Sequence, residues 1–198
     1  MTQIKRQSRK PTADDDLNFS YLYFREKQCL TVNYDLNRKN NLNIFIVFRI
    51  LDTPNLVNNG IFGNNDRFIN IHKNNNKLYL VTGYGSGNEY IDIFPSKASP
   101  LTLNFSVLSV HYSSLQVNDS LVYCNGKYVG IFTVESNVIQ QRTFSIGSIS
   151  STASLHNSQK QMAYFSLHHG RFNVKDIKIM HKYLCERYRI DHDPISIP

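Results

Sequence analysis

Ser120-Leu121-Val122-Tyr123-Cys124-Asn125-Gly126-Lys127-Tyr128-Val129-Gly130-Ile131-Phe132 is the stretch on which the fold turns. Asn-Gly between two apolar runs demands positive φ at both central positions. It therefore specifies a type I′ hairpin, whose twist matches the flanking strands. The expected register sets Tyr123 against Tyr128 and Val122 against Val129. On both sides the same β signal continues. Asn43 to Leu51 is rich in β-branched and aromatic residues and reads as a central strand buried on two faces. Phe19 to Phe24, Leu30 to Asp35, Ile61-Phe62, Phe68 to His72, Lys77 to Thr82, Tyr90 to Phe94, Leu103 to Tyr112, Thr143 to Ile149 and Met162 to His168 supply the others. Asn58-Asn59-Gly60, Gly63 to Asp66, Asn74-Asn75-Asn76 and Gly83 to Asn88 punctuate them, because Gly and Asn tolerate left-handed backbone. About a dozen strands at a spacing of roughly 8–12 residues mark a sandwich or barrel.

One segment breaks the period of two. Val174, Ile177, Met180, His181, Leu184 and Tyr188 recur at helical spacing with Lys175, Lys178 and Lys182 between them. Asn173 fits an N-cap, and Asp176 stands where a capping-box acid belongs. One helix of about four turns, laid on the sandwich, is expected here. Residues 1–16 are polar and charged and read as a disordered leader with no apolar signal-peptide core. Residues 17–190 read as one domain, and 191–198 as an extended tail.

The chain has 198 residues, 22 Lys+Arg against 15 Asp+Glu, and a net charge of +7. The excess is spread along the chain, +1 in residues 1–16, +5 in 17–173 and +1 in 174–198. No basic stripe or nucleic-acid motif accompanies it, so no nucleic-acid partner is expected. The longest apolar run, Ile44 to Phe48, is too short for a membrane span. Cys29, Cys124 and Cys185 are odd in number and widely spaced, which reads as free thiols, mostly buried. The three Asn-X-Ser/Thr sequons match chance in a chain with 22 Asn.

Several motifs fall in a familiar order. Ile44 to Arg49 resembles the central strand of laminin-G-like domains, jelly rolls of the concanavalin A-like lectin/glucanase superfamily. Ser120 to Val129 resembles that family's strand–Asn-Gly-Lys–strand hairpin, and Phe144-Ser145-Ile146-Gly147 its Ile-Gly strand. Ala163 to Ile190 is similar to its final strand, short loop and capped helix ending Tyr183-Leu184 and Tyr188. The resemblance covers about residues 18–190. It implies an all-β, two-sheet antiparallel jelly-roll sandwich with one C-terminal helix. It also implies glycan or protein partners, and an extracellular or virion-surface setting.

Three places in the sequence bear on chemistry. A retaining glucanase needs a nucleophile and an acid about 5 Å apart, set at alternating positions of one strand. Glu89 and Asp92 are three apart and the second Glu is missing, so no enzyme is expected. His168 and His169 are adjacent and face opposite ways on a strand, one toward the core and one toward the surface, so they cannot share a metal. Gly83-x-Gly85-x-Gly87 lacks dinucleotide spacing.

What remains is a binding face. Asn64, Asn65, Asp66, Arg67, Tyr84, Asn88, Glu89 and Tyr90, with the Asn74-Asn75-Asn76 turn, supply planar hydrogen-bond groups and, in a chain without Trp, Tyr rings as a sugar platform. No cofactor is expected. Laminin-G-like domains often hold calcium on loop Asp and Asn oxygens, and such an ion would find its charge at Asp66. The functional expectation is a non-enzymatic, lectin-like recognition module that uses these loops or the concave sheet. The alternative is a structural or attachment component that uses the sandwich as a packing block.

Overall fold

A computed structural model describes residues 19–24, 29–33, 41–51, 59–63, 68–74, 77–82, 89–92, 104–113, 121–131, 143–147, 159–170 and 172–191. Among them are twelve strands and one helix: β1 (Leu22–Phe24), β2 (Leu30–Asn33), β3 (Asn41–Ile50), β4 (Asn59–Gly63), β5 (Phe68–Asn74), β6 (Lys77–Thr82), β7 (Glu89–Asp92), β8 (Ser106–Ser113), β9 (Leu121–Cys124), β10 (Lys127–Ile131), β11 (Thr143–Ile146), β12 (Lys160–His169) and α1 (Val174–Arg187). They form two six-stranded sheets. The first runs β1-β12-β3-β8-β9-β10 and the second β2-β11-β4-β5-β6-β7. Every pairing is antiparallel. The all-β sandwich with a closing helix is therefore the observed architecture.

Alternation along β3 explains the layering. Ile44, Ile46, Phe48 and Ile50 point into the sandwich, where they meet Ile61, Phe62 and Ile146 of the second sheet. Phe62 and Phe165 stack across the gap with ring centroids 5.5 Å apart. Phe45 and Val47 point the other way, into a second core with Phe105, Val107, Leu184, Cys185 and Tyr188. Strand β3 is thus apolar on both faces because one face meets a sheet and the other a helix. Each such side chain, fully buried, contributes about 1.5–3 kcal/mol.

The Asn125-Gly126 turn has φ of 47° and 81°, the left-handed pair that a type I′ hairpin requires. Tyr123 pairs with Tyr128 as expected, but Val122 pairs with Gly130. A bulge at Val129 shifts the register by one residue beyond the turn, and a bulge of this kind raises the local twist. Asn125 also fastens the turn to β8: its Oδ1 accepts from Val107 N at 2.8 Å, and its own N–H donates to Val107 O at 2.9 Å.

Helix α1 starts with the expected capping box. Asp176 N–H donates to Asn173 Oδ1 at 3.0 Å, and Asn173 N–H donates to Asp176 Oδ2 at 3.1 Å. It ends in a Schellman motif. Arg189 takes φ 53°, Arg189 N–H donates to Glu186 O, and Ile190 N–H donates to Cys185 O at 2.9 Å. Ile190 is buried in the same cluster as Cys185, the apolar contact that usually completes this cap.

Candidate functional site

The second sheet carries the strands that border the proposed binding loops. Strands β4, β5, β6 and β7 form an antiparallel meander. Successive turns in a meander alternate between its two ends. The strand ends Gly63, Phe68, Thr82 and Glu89 therefore lie at one end of the sheet, and Asn74 and Lys77 at the other. Asn64, Asn65, Asp66, Arg67, Tyr84 and Asn88 lie outside the described residues, as do Asn75 and Asn76. Glu89 and Tyr90 open β7, where they pair with Thr82 and Val81. That pairing runs to Asp92 opposite Tyr79 without a bulge, so the three-residue spacing of Glu89 and Asp92 is kept.

On the other side of the molecule, a polar chain runs between the first sheet and α1. Ser109 and His111 lie two apart on β8 and share its helix-facing side. Asn43 on β3 is the register partner of His111. His181 comes from the buried stripe of α1. Gly126 N–H donates to His181 Nδ1 at 3.3 Å. That nitrogen therefore accepts, and the proton of neutral His181 sits on Nε2. Nε2–H then donates to Ser109 Oγ at 2.6 Å. The Ser109 hydroxyl donates onward to His111 Nε2 at 2.9 Å. His111 Nδ1–H donates to Asn43 Oδ1 at 3.0 Å, and Asn43 Nδ2 donates to Gly170 O at 2.8 Å. At each of these links a donor faces an acceptor.

A serine 2.6 Å from an imidazole has the distance of an activated nucleophile. Its setting does not. Ser109 and His181 are both 0% exposed, and Asn43 and His111 are buried. A reacting atom must come within about 3 Å of the nucleophile, and the helix occupies that space. Burial, with His181 nearby, pulls His111 down to about 3, so its imidazole is neutral at pH 7. The network is an anchor that fixes α1 and the Asn125-Gly126 hairpin to β8. Linear spacing does not announce this network; the signal available in the sequence is a Ser and a His two apart on one strand face, together with a His inside an otherwise apolar helix stripe.

His168 and His169 are each half-buried rather than split between core and surface. His168 lies against Phe45 and Phe172 on the helix side and bonds Ser166 Oγ at 3.0 Å. No group of three or more His, Cys, Asp or Glu side chains suited to a metal occurs among the described residues. Asp66 lies outside them. Cys29, Cys124 and Cys185 are free thiols, the last two buried. Burial pushes Cys185 up to about 12 and raises Cys124 as well, so neither is a thiolate. Lys160 is fully buried at the start of β12, and burial lowers its ammonium to about 7 while Cys29 acts in the opposite sense.

Tyr123 is the outlier of the anchor. Its ring packs edge-on to His111 and Tyr128 and is 0% exposed, but its hydroxyl has no hydrogen-bond partner among the described residues. Burial raises its phenol further from ionisation. A buried, unsatisfied hydroxyl costs about 1–3 kcal/mol. Tyr123→Phe is therefore expected to leave the fold intact and raise its stability by about 1 kcal/mol, read as a higher urea midpoint at unchanged slope. A lower midpoint would mean that the hydroxyl has a role which its geometry hides.

No protein-family model matches the chain, and no curated protein does. Solved structures do. The binding domain of botulinum neurotoxin serotype D matches at 13% identity and a TM-score of 0.60, over 86% of this chain and 44% of that one. The binding domain of botulinum neurotoxin DC, solved in complex with SialylT, matches at 16% identity and a TM-score of 0.57, over 92% and 44%. The receptor-binding domain of botulinum neurotoxin type G matches at 11% identity and a TM-score of 0.53, over 84% and 47%. The chain thus spans less than half the length of these neighbours. At such identities the likeness is one of fold.

Proposed function

We propose that this protein is a non-enzymatic recognition module, a laminin-G-like jelly roll that binds a glycan or a protein partner. The meander carries this reading. It gathers the strand ends bordering residues 64–67 and 83–88 at one end of the second sheet. Two segments that carry Asn, Asp, Arg and Tyr are therefore bordered by strand ends on the same side of the sheet, while Asn74, which opens the Asn74-Asn75-Asn76 turn, lies at the far end. Amide groups at the rim and Tyr84 and Tyr90 as platforms are the combination that sugar recognition uses. The neighbours of similar fold are receptor-binding domains, one of them solved with SialylT. The sealed Ser109–His181 pair also argues for recognition over hydrolysis.

A glycan array tests the reading. Reproducible hits that disappear with Tyr84→Ala and Asn88→Ala, while the melting temperature stays unchanged, are the expected result. A blank array would remove the glycan half of the proposal. Hits that survive both substitutions would move the site away from this end of the sheet.

A further inference from the structure

Helix α1 has a second face. Ile177, His181, Leu184 and Cys185 are buried against the sheet. On the opposite side Ile179 is 59% exposed and Tyr183 48% exposed, the large exposed hydrophobics among the described residues. They are one turn apart and so form a continuous apolar strip. Arg187 extends it by another turn. Its guanidinium donates from Nη1 to Tyr183 Oη at 3.1 Å and lies 6.0 Å from the Tyr183 ring and 5.8 Å from that of Tyr188. A fork held this way keeps its other donors pre-set for a carboxylate.

The surrounding charge is mostly of one sign. Residues 174–189 hold five Lys and Arg against two acids. Of those acids, Asp176 is engaged in the N-terminal cap, and Glu186 sits 3.8 Å from Lys182. An apolar centre of Ile and Tyr with an Arg at one end and a charged rim is the composition of a protein-interface hot spot.

We propose that this face of α1 is a docking surface for an acidic amphipathic helical segment of a protein partner. Charge complementarity chooses the acid, since a partner with Asp and Glu around an apolar ridge would meet the cations at the rim and Arg187 at the end. The aliphatic Ile179 chooses a protein over a sugar. A sugar stacks on a flat ring and gains nothing from a β-branched side chain one turn away, whereas Leu or Met side chains of a partner helix would cover both. The surface lies on the opposite sheet from the loops proposed above, so the two readings stand or fall separately.

Fluorescence anisotropy with the full chain is the test. The probe is a labelled, end-capped helical peptide with Leu on one face and Glu elsewhere. Two controls replace all Leu by Ser or all Glu by Gln. Saturable binding of the first peptide, weakening with salt, is expected. Ile179→Ser, Tyr183→Ser and Arg187→Glu should each weaken it about tenfold or more. Their exposed positions keep the fold in place, at a small cost for the acid set at the helix C-terminus, which an unchanged circular dichroism spectrum and a melting temperature near the parent's verify. Equal binding of the Ser control would show charge attraction alone and overturn the proposal. So would variants that bind like the parent, or absence of saturation up to about 1 mM, the weak end of specific affinity. Sedimentation showing self-association that Tyr183→Ser abolishes would also overturn it, by making a second copy the occupant.

Discussion

Acidification from pH 7 to pH 5 is expected to cost the fold about 2 kcal/mol through His111 alone. The imidazole is pulled from its ordinary 6.5 to about 3, first by burial and then by His181. A histidine whose folded value is depressed contributes stability that is intact above about 6.5. In that range both folded and unfolded chains hold it neutral. Between about 6.5 and 3 the unfolded chain takes the proton and the folded one refuses it, so stability falls by about 1.4 kcal/mol per pH unit. The full loss, about 4–5 kcal/mol, is reached near the folded value.

The surroundings explain the refusal. His111 is enclosed by Asn43 on β3, Ser109 on its own strand, Tyr123 on β9 and the Phe45 and His181 rings. A second proton would sit on Nε2, the atom that accepts from Ser109, and would reverse the bonds leading to α1. Urea denaturation of the parent and of His111→Gln at both pH values isolates the effect, since other titrating groups are common to the two. The parent should lose about 2 kcal/mol more than the variant. Equal losses would show that His111 does not carry the acid sensitivity.

Much of this architecture was legible in the residues. Asn125-Gly126 admits one turn type, and the turn is there. The period of 3.6 from Val174 to Tyr188 and the Asn173–Asp176 pair placed α1 and its cap. Strand β3 read as buried twice, which requires a layer on each side. What was not legible was whatever depends on partners distant in sequence. The bulge at Val129 is set by twist and packing, and no residue announces it. Arg189 fills a left-handed position usually held by Gly, because the Schellman bonds and the burial of Ile190 hold it there. The anchor joins Asn43, Ser109, His111, Gly126 and His181, five residues spread over 138 positions whose convergence only strand order reveals. The proposed binding residues have chemistry suited to loops, which carries no information on where the loops lie. Strand order now adds that two of the three segments spring from one end of the sheet.

Gly147→Ala is expected to destabilise the protein by about 2–5 kcal/mol, from two additive causes. The first is the backbone. Gly147 has φ +85°, and an L-residue forced into a left-handed conformation costs about 1–2 kcal/mol. The second is space. A Cβ built on Gly147 would lie 2.6 Å from Cδ1 and 2.7 Å from Cε1 of Phe24. Phe24 is 3% exposed and belongs to the core between the sheets, so its ring has no free direction in which to yield. Overpacking of that kind adds about 1–3 kcal/mol. The backbone cannot yield either, because Gly147 N–H donates to Ile61 O at 2.7 Å and holds the end of β11 against β4. Gly170 supplies the control. It has φ +98°, but a Cβ there meets nothing within 4 Å. Gly170→Ala should therefore show the backbone cost alone, about 1–2 kcal/mol. The difference between the two variants in chemical denaturation measures the Phe24 contact directly. A Gly147→Ala protein no less stable than Gly170→Ala would mean that β1 can shift away from β11, and that the Ile146-Gly147 motif is conformational rather than a packing requirement.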